Sequence, residues 1–190
     1  KPLGKPRRID STDKNVIKRI DGRSASFLYE EYFGSDVKHF KSNRLGRLSI
    51  YYPLGVKIEG NNEYLLKNAI DILPNGNIVC QGDVPKDTDV HIMIGNKDFC
   101  KQATLSAALE ARNNLLGKPA KLIFIFESMA RLRIFGRQAW EEIAQVKSVF
   151  GEHAPIFGMY SNGEISPFQT VDRYKRTLFQ NESIVITAVG

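Results

Sequence analysis

Residues 118–131 read KPAKLIFIFESMAR and residues 154–167 read APIFGMYSNGEISP, and these two stretches decide the fold. Lys121–Phe126 is a short apolar run of β-formers, long enough for one buried strand and far too short to span a bilayer. It opens directly into the polar residues Glu127, Ser128 and Arg131. A helical pattern follows over Gln138–Phe150, with Trp140, Ile143, Ala144, Val146, Val149 and Phe150 assigned to one face, and Gly151 stops it. The second run, Pro155–Tyr160, ends in Ser161, Asn162, Gly163 and Glu164. Two core strands joined by a helix, each delivering small polar and charged groups at its C-terminal end, predict a pocket there.

Outward from this unit the pattern is mixed. Towards the N-terminus, Tyr64–Leu73 and Asn77–Gln81 flank the turn signal Pro74-Asn75-Gly76, predicting a hairpin, and Asp89–Ile94 predicts another strand. From Lys97 the period changes, and Phe99, Ala103, Leu105, Ala107, Leu109, Leu115 and Leu116 suggest a long helix ending before Gly117. Arg7–Ile9 and Asn15–Ile20 read as strands. A helix is expected over Ala25–Phe33, with Phe27, Leu28 and Tyr32 inward, then irregular chain over 35–47 and a strand over Leu48–Ile58 broken at Pro53. The chain closes with Tyr174–Gln180 and Ser183–Val189, most simply a final hairpin. The fold class is therefore α+β: a mixed, largely antiparallel sheet packed by helices, with a β-α-β unit at 121–160.

Composition narrows the function. The 190 residues are 42% hydrophobic and 25% charged, an ordinary folded chain with no apolar run long enough for a transmembrane helix and no signal-peptide pattern at its start. The net charge of +6 is local: residues 1–23 hold eight Lys and Arg against three Asp, while the remaining 167 residues are nearly balanced. A nucleic-acid partner is not expected, because such a domain spreads positive charge over a working face. The two cysteines, Cys80 and Cys100, have the character of buried thiols in a reducing compartment, and the three scattered histidines suggest no metal site. No GxGxxG, GxxxxGK[ST], GxSxG or HExxH occurs, so no catalytic signature and no cofactor is indicated.

Within the predicted pocket, Glu127 and Glu164 each follow a core strand. Two readings of the pair stand: carboxylates facing one cleft for acid/base work, or a solvated loop residue beside a Glu127–Arg131 ion pair. Arg131 fits either a bidentate clamp for a carboxylate or a surface residue at a helix start. Ser128 has no histidine at hand to activate it. Tyr160 and Ser161 offer hydroxyls, and Asn162-Gly163 reads as a turn.

These residues lead to a family resemblance. Pro155–Pro167 (PIFGMYSNGEISP) resembles the signature of the C-terminal FIST domain, a strand ending in Gly-x-Tyr-x-x-Gly-Glu-Ile. Lys5–Gly34 is similar to the join between the N-terminal FIST domain and the C-terminal one. Tyr51–Asn96 resembles the middle strands, Leu122–Leu132 the strand leading to a polar-x-x-Arg turn, and Thr177–Val189 the closing Phe-x-Asn segment and last strand. The resemblance implies residues 1–23 as the basic end of an N-terminal FIST domain and residues 24–190 as the C-terminal FIST domain. It implies a cytoplasmic bacterial sensory module, not an enzyme, that binds a small polar ligand such as an amino acid. Its partners would be an N-terminal FIST domain and a signalling output domain. Arg131, Tyr160, Gly163 and Glu164 match recurrent polar positions, which makes Glu127, Ser128, Arg131, Tyr160, Ser161, Gly163 and Glu164 the expected ligand-binding set. Ser128 stands where many members carry Cys, and Glu127 where smaller polar residues are common. A small-metabolite enzyme built on Glu127 and Glu164, and a protein-interaction module using the basic end or an edge strand, are the alternatives.

Overall fold

The computed structural model describes residues 1–40, 42–58, 64–167 and 177–190. It divides into two compact units: residues 1–95 with 165–181, and residues 96–164 with 182–190. The fold class is α+β with mostly antiparallel open sheets, as the sequence predicts.

The first unit is built on one antiparallel sheet. Its strands are β1 (Pro2–Asp13), β2 (Val16–Ile20), β3 (Arg23–Ser24), β4 (Leu54–Lys57), β5 (Tyr64–Lys67), β6 (Ala69–Ile72), β7 (Ile78–Cys80) and β8 (Thr88–Met93). They run in the order β5-β4-β8-β1-β2-β7-β6, with β3 paired to β2. The first and last strands of that order are consecutive in sequence, separated by Asn68 alone, so the sheet must curl until its two edges adjoin. The curl encloses a core of Ile9, Ile17, Ile20, Leu54, Val56, Ile78, Val90 and Ile92, each at most 1% exposed. Helices α1 (Phe27–Phe33) and α2 (Ser42–Tyr51) add Leu28, Tyr29 and Leu45 to it. The basic end of the chain is woven into this sheet as β1 and β2, where Arg7 pairs with Asp21 and Glu31, Arg8 with Asp89 and Lys18 with Asp13.

The second unit contains α3 (Lys97–Asn113), β9 (Leu122–Ser128), α4 (Met129–Phe135), α5 (Trp140–Phe150) and β10 (Ile156–Ser161). Two short strands follow, β11 (Glu164–Pro167), which passes from the second unit into the first at residue 165, and β12 (Thr177–Gln180), which pairs with it; β13 (Ile184–Val189) belongs to the second unit. Its sheet has the order β10-β9-β13, with β10 parallel to β9 and β13 antiparallel to it. This contains the predicted β-α-β unit. Ile123, Ile125 and Glu127 project to the buried side of β9, while Phe124 and Phe126 alternate outward.

Several expectations are corrected. The stretch 35–47 is not irregular: it carries a 3-10 turn over Ser35–His39 and the start of α2, and Leu48–Tyr51 is helical, not strand. Leu45, Ser49 and Ile50 share a buried helical stripe, which overrides the β-propensity of Leu48–Tyr52, and Pro53 marks the helix-to-strand boundary. Tyr32 is exposed and Tyr29 is the inward ring of α1. The closing segments are not a hairpin: β12 pairs with β11 and β13 with β9. Of the predicted Tyr174–Gln180 strand, residues 174–176 lie outside the described residues. Trp140 is 66% exposed, and the buried stripe of α5 is Glu142, Val146 and Val149. Phe99, Leu105 and Leu109 are likewise exposed, and α3 buries the smaller Cys100, Thr104, Ala108 and Ala111.

Candidate functional site

The polar centre of the second unit assembles where β9 ends. The period-2 alternation that buries Ile123 and Ile125 makes Glu127 the last inward residue of the strand. Ser128 then leaves the strand in an extended conformation and caps α4, its Oγ accepting from the Ala130 N–H at 3.4 Å. One turn later Arg131 points back into the interior, 2% exposed.

Arg131 is fully engaged within the unit. Its Nε donates to Glu142 Oε1 at 3.2 Å, and its Nη2 donates to the same oxygen, to Thr104 Oγ1 at 2.8 Å and to the Cys100 carbonyl at 2.8 Å. Nη1 reaches the Glu182 carbonyl at 3.4 Å. Thr104 also donates to Glu142 Oε1 at 2.6 Å. One guanidinium therefore ties together α3, α4, α5 and the bend that precedes β13.

The carboxyls around it differ in state. Burial alone would push Glu142 up, but the hydrogen bond from Glu127, the Arg131 charge and the Thr104 hydroxyl together hold it below the ordinary carboxylate value. Glu127 moves the other way, to about 9, driven by burial and by its hydrogen bond and repulsion with Glu142. At neutral pH the pair shares one proton, carried by Glu127, and Glu142 is the anion facing Arg131. Apart from that shared proton, Glu127 Oε1 and Glu142 Oε2 meet no donor among the described residues, and Glu127 Oε1 lies 3.9 Å from Arg131 Nε. Glu182 is also pushed well up by burial; its backbone sits at φ 59°, and its Oε1 has no partner among the described residues. The cluster is thus close to neutral, which is how a fold can keep three acids beside one base away from water.

A cavity of about 530 Å³ opens beside this cluster, between the edge strand β10 and α5. Glu127 and Tyr160, paired in register across β9 and β10, lie in its lining with Ile125, Ile143 and Ile156. Lys147 and Glu152, ion-paired at 2.8 Å, also line it. The Tyr160 phenol is pushed up by burial and by the neighbouring Glu127 and Glu142.

The structure thus brings Glu127, Ser128, Arg131 and Tyr160 together, with only Glu127 and Tyr160 in the cavity lining. Ser161 and Glu164 form a separate polar knot, in which Ser161 Oγ donates to Glu164 Oε1 at 2.5 Å and Ser183 Oγ to Glu164 Oε2 at 2.7 Å. Gly163 lies in the bend between β10 and Glu164. Glu164 adds only a weak repulsion to Glu127, whose carboxyl partner is Glu142. Thr104, Glu142 and Glu182 were not singled out in the sequence. Glu142 had a signal: it is the one charged residue spaced four and seven from Val146 and Val149.

Residues 25–167 match the FIST C domain family model. The chain belongs to the FIST C family. FIST C domains are a sensory, signal-transduction family. No curated protein and no solved structure matches the chain. Among the described residues no helix of this FIST C chain is long and apolar enough to cross a membrane, and no group of His, Cys, Asp or Glu is arranged to hold a metal ion. Both cysteines are free and buried, their thiols pushed by burial to about 12 for Cys80 and about 11 for Cys100.

Proposed function

We propose that this chain is the ligand-binding part of a cytoplasmic bacterial sensor and that the cavity between β10 and α5 takes a small zwitterion of the amino-acid class. The observation that carries the reading is the Glu127 carboxyl, buried, protonated and incompletely hydrogen-bonded in the lining of a cavity large enough for such a molecule. A ligand ammonium beside Glu127 would displace its proton and take the place of the missing donor. Tyr160 supplies a hydroxyl, Lys147 a cation for the ligand carboxylate, and Ile125, Ile143 and Ile156 an apolar wall. Arg131, with its donors committed to Glu142, Thr104 and two carbonyls, acts as a positioning residue. Ser161, Gly163 and Glu164 fix the strand end that carries Tyr160.

The relay follows from the same contacts. Ionising Glu127 sets a second negative charge against Glu142, and the Arg131 network that joins α3, α4, α5 and the bend before β13 must readjust. A change in those elements biases packing against an N-terminal FIST domain and an output domain, a population shift and not catalysis. The test is a thermal-shift screen of amino acids and small organic acids. A ligand at a hundredfold excess over its Kd adds about 2.7 kcal/mol, a shift of several degrees at this size. The shift should vanish in Glu127→Gln and weaken in Tyr160→Phe. No hit, or a hit that survives Glu127→Gln, overturns the reading. The split acidities of Glu127 and Glu142 also favour a second reading, proton transfer to a bound metabolite, for which turnover lost in Glu127→Gln is the readout.

A further inference from the structure

The first unit has a cavity of its own, about 770 Å³, lined by Leu65, Val84, Pro85, Leu178 and Phe179, with Lys67 among them. Lys67 ends β5, where it pairs with Leu54 of β4, and the burial alternation of that strand turns its side chain inward to 2% exposure. A lysine so placed needs partners for three N–H groups and a counter-charge. It has little of either. Nζ donates to the Phe179 carbonyl at 2.8 Å and stands 5.0 Å from the centre of the Phe179 ring, and among the described residues no carboxylate lies within 4.0 Å of it. Asp83 and Lys14, both exposed, line the same cavity, so its balance of charge is positive.

The surroundings are built to keep the ammonium in place. Gly82, at φ +100°, lets the chain pass so close that a Cβ there would sit 2.6 Å from the Phe179 ring and 3.3 Å from Lys67 Nζ. Cys80, fully buried, holds no charge to offer. Asp83 favours the Lys67 charge only from a distance, without an ion pair, and a buried cation with no carboxylate in contact costs stability that a ligand anion completing the pair would offset.

We propose that this cavity is a second binding site, taking an amphiphilic monocarboxylate whose apolar body fills the Leu65–Val84–Phe179 wall and whose carboxylate pairs with Lys67. It is separate from the cavity beside Glu127, and the two sites stand or fall independently. Burial pulls the Lys67 ammonium below the ordinary lysine value, and the bound carboxylate would restore it.

The probes are octanoate, octanol and octylamine, titrated calorimetrically into the full chain. Octanoate should bind at least tenfold more tightly than octanol, and octylamine should not bind. In Lys67→Met, which keeps the side-chain length without the charge, octanoate should fall to the level of octanol. Asp83→Asn, on the exposed rim where folding is safe, should tighten octanoate a few-fold by removing a repulsive charge. Equal binding of octanoate and octanol to the wild-type chain, an octanoate affinity unmoved by Lys67→Met in a chain whose circular dichroism is intact, or no response to Asp83→Asn would overturn the proposal.

Discussion

Replacing Glu127 by Gln should change not just the stability of the protein but its pH dependence. In the folded chain the Glu127 carboxyl binds its proton up to about pH 9, against an ordinary value of 4.5. Between those limits the folded state holds one proton more than the unfolded state, so stability falls as pH rises, by about 1.4 kcal/mol per pH unit for this group. At pH 7 the accumulated cost is about 3 kcal/mol. Gln occupies the same volume, cannot ionise, and can donate its Nε2–H to Glu142 where the carboxylic acid donated before. The variant should therefore gain on the wild type by about 3 kcal/mol between pH 6 and pH 8, whatever constant offset the amide introduces. Glu182, also raised, titrates in both proteins and cancels in the difference. Urea unfolding at pH 5, 6, 7 and 8 measures this, with the slope m checked for constancy. Stability curves of the two proteins that run parallel from pH 5 to 8 would show that Glu127 is already ionised in the folded state and that the shared proton does not exist.

Two further changes probe the frame around the site. Arg131→Met strands Glu142 without its cation and should cost about 3–5 kcal/mol at pH 7. Glu142 is held below the ordinary carboxylate value of 4.5 in the native protein, so its contribution is present above that pH and is lost as the pH falls below it; the deficit should persist at pH 5 and shrink when urea unfolding is repeated below pH 4.5. A deficit under about 1 kcal/mol at pH 7 would mean that the buried pair contributes little. Gly158→Ala places a Cβ 2.1 Å from the Ile125 carbonyl oxygen in the neighbouring strand, a backbone atom that cannot step aside. It should cost about 2 kcal/mol or more, with amide protection lost along β10 in hydrogen exchange; full protection there would show that the two strands lie farther apart.

Local pattern revealed those elements whose signal lies within their own residues. The LIFIF run, the Pro74-Asn75-Gly76 turn and the change of period at Lys97 each carry a self-contained cue, and β9, the β6–β7 hairpin and α3 lie where those cues put them. The failures are tertiary. β1 pairs with β8 roughly eighty residues away, and β13 leaves its sequence neighbour β12 to pair with β9 because only there does Ile184–Ile186 reach the core. The stretch Leu48–Tyr52 has strand composition but follows Leu45 at helical spacing, and burial decided the contest.

The site follows the same rule with a sharper consequence. Glu127, Ser128 and Arg131 were visible because a strand ends at them, yet their partners sit on three other elements, and no spacing in the chain links Thr104 or Glu182 to Arg131. Glu142 is the instructive case. Placing Trp140 inward on α5 turns Glu142, two residues and about 200° further on, towards water, so the apolar reading of the helix hides the acid on which Arg131 depends. A tryptophan can stay exposed at modest cost, whereas a carboxylate held by a buried guanidinium cannot leave. The register of α5 is set by that ion pair. The same reasoning applies to Lys67 in the first unit, where a charge again occupies an inward position of its strand. Glu127 on β9 and Lys67 on β5, each a charged residue type on the inward side of its strand, both line a cavity, and that coincidence singles out the two sites.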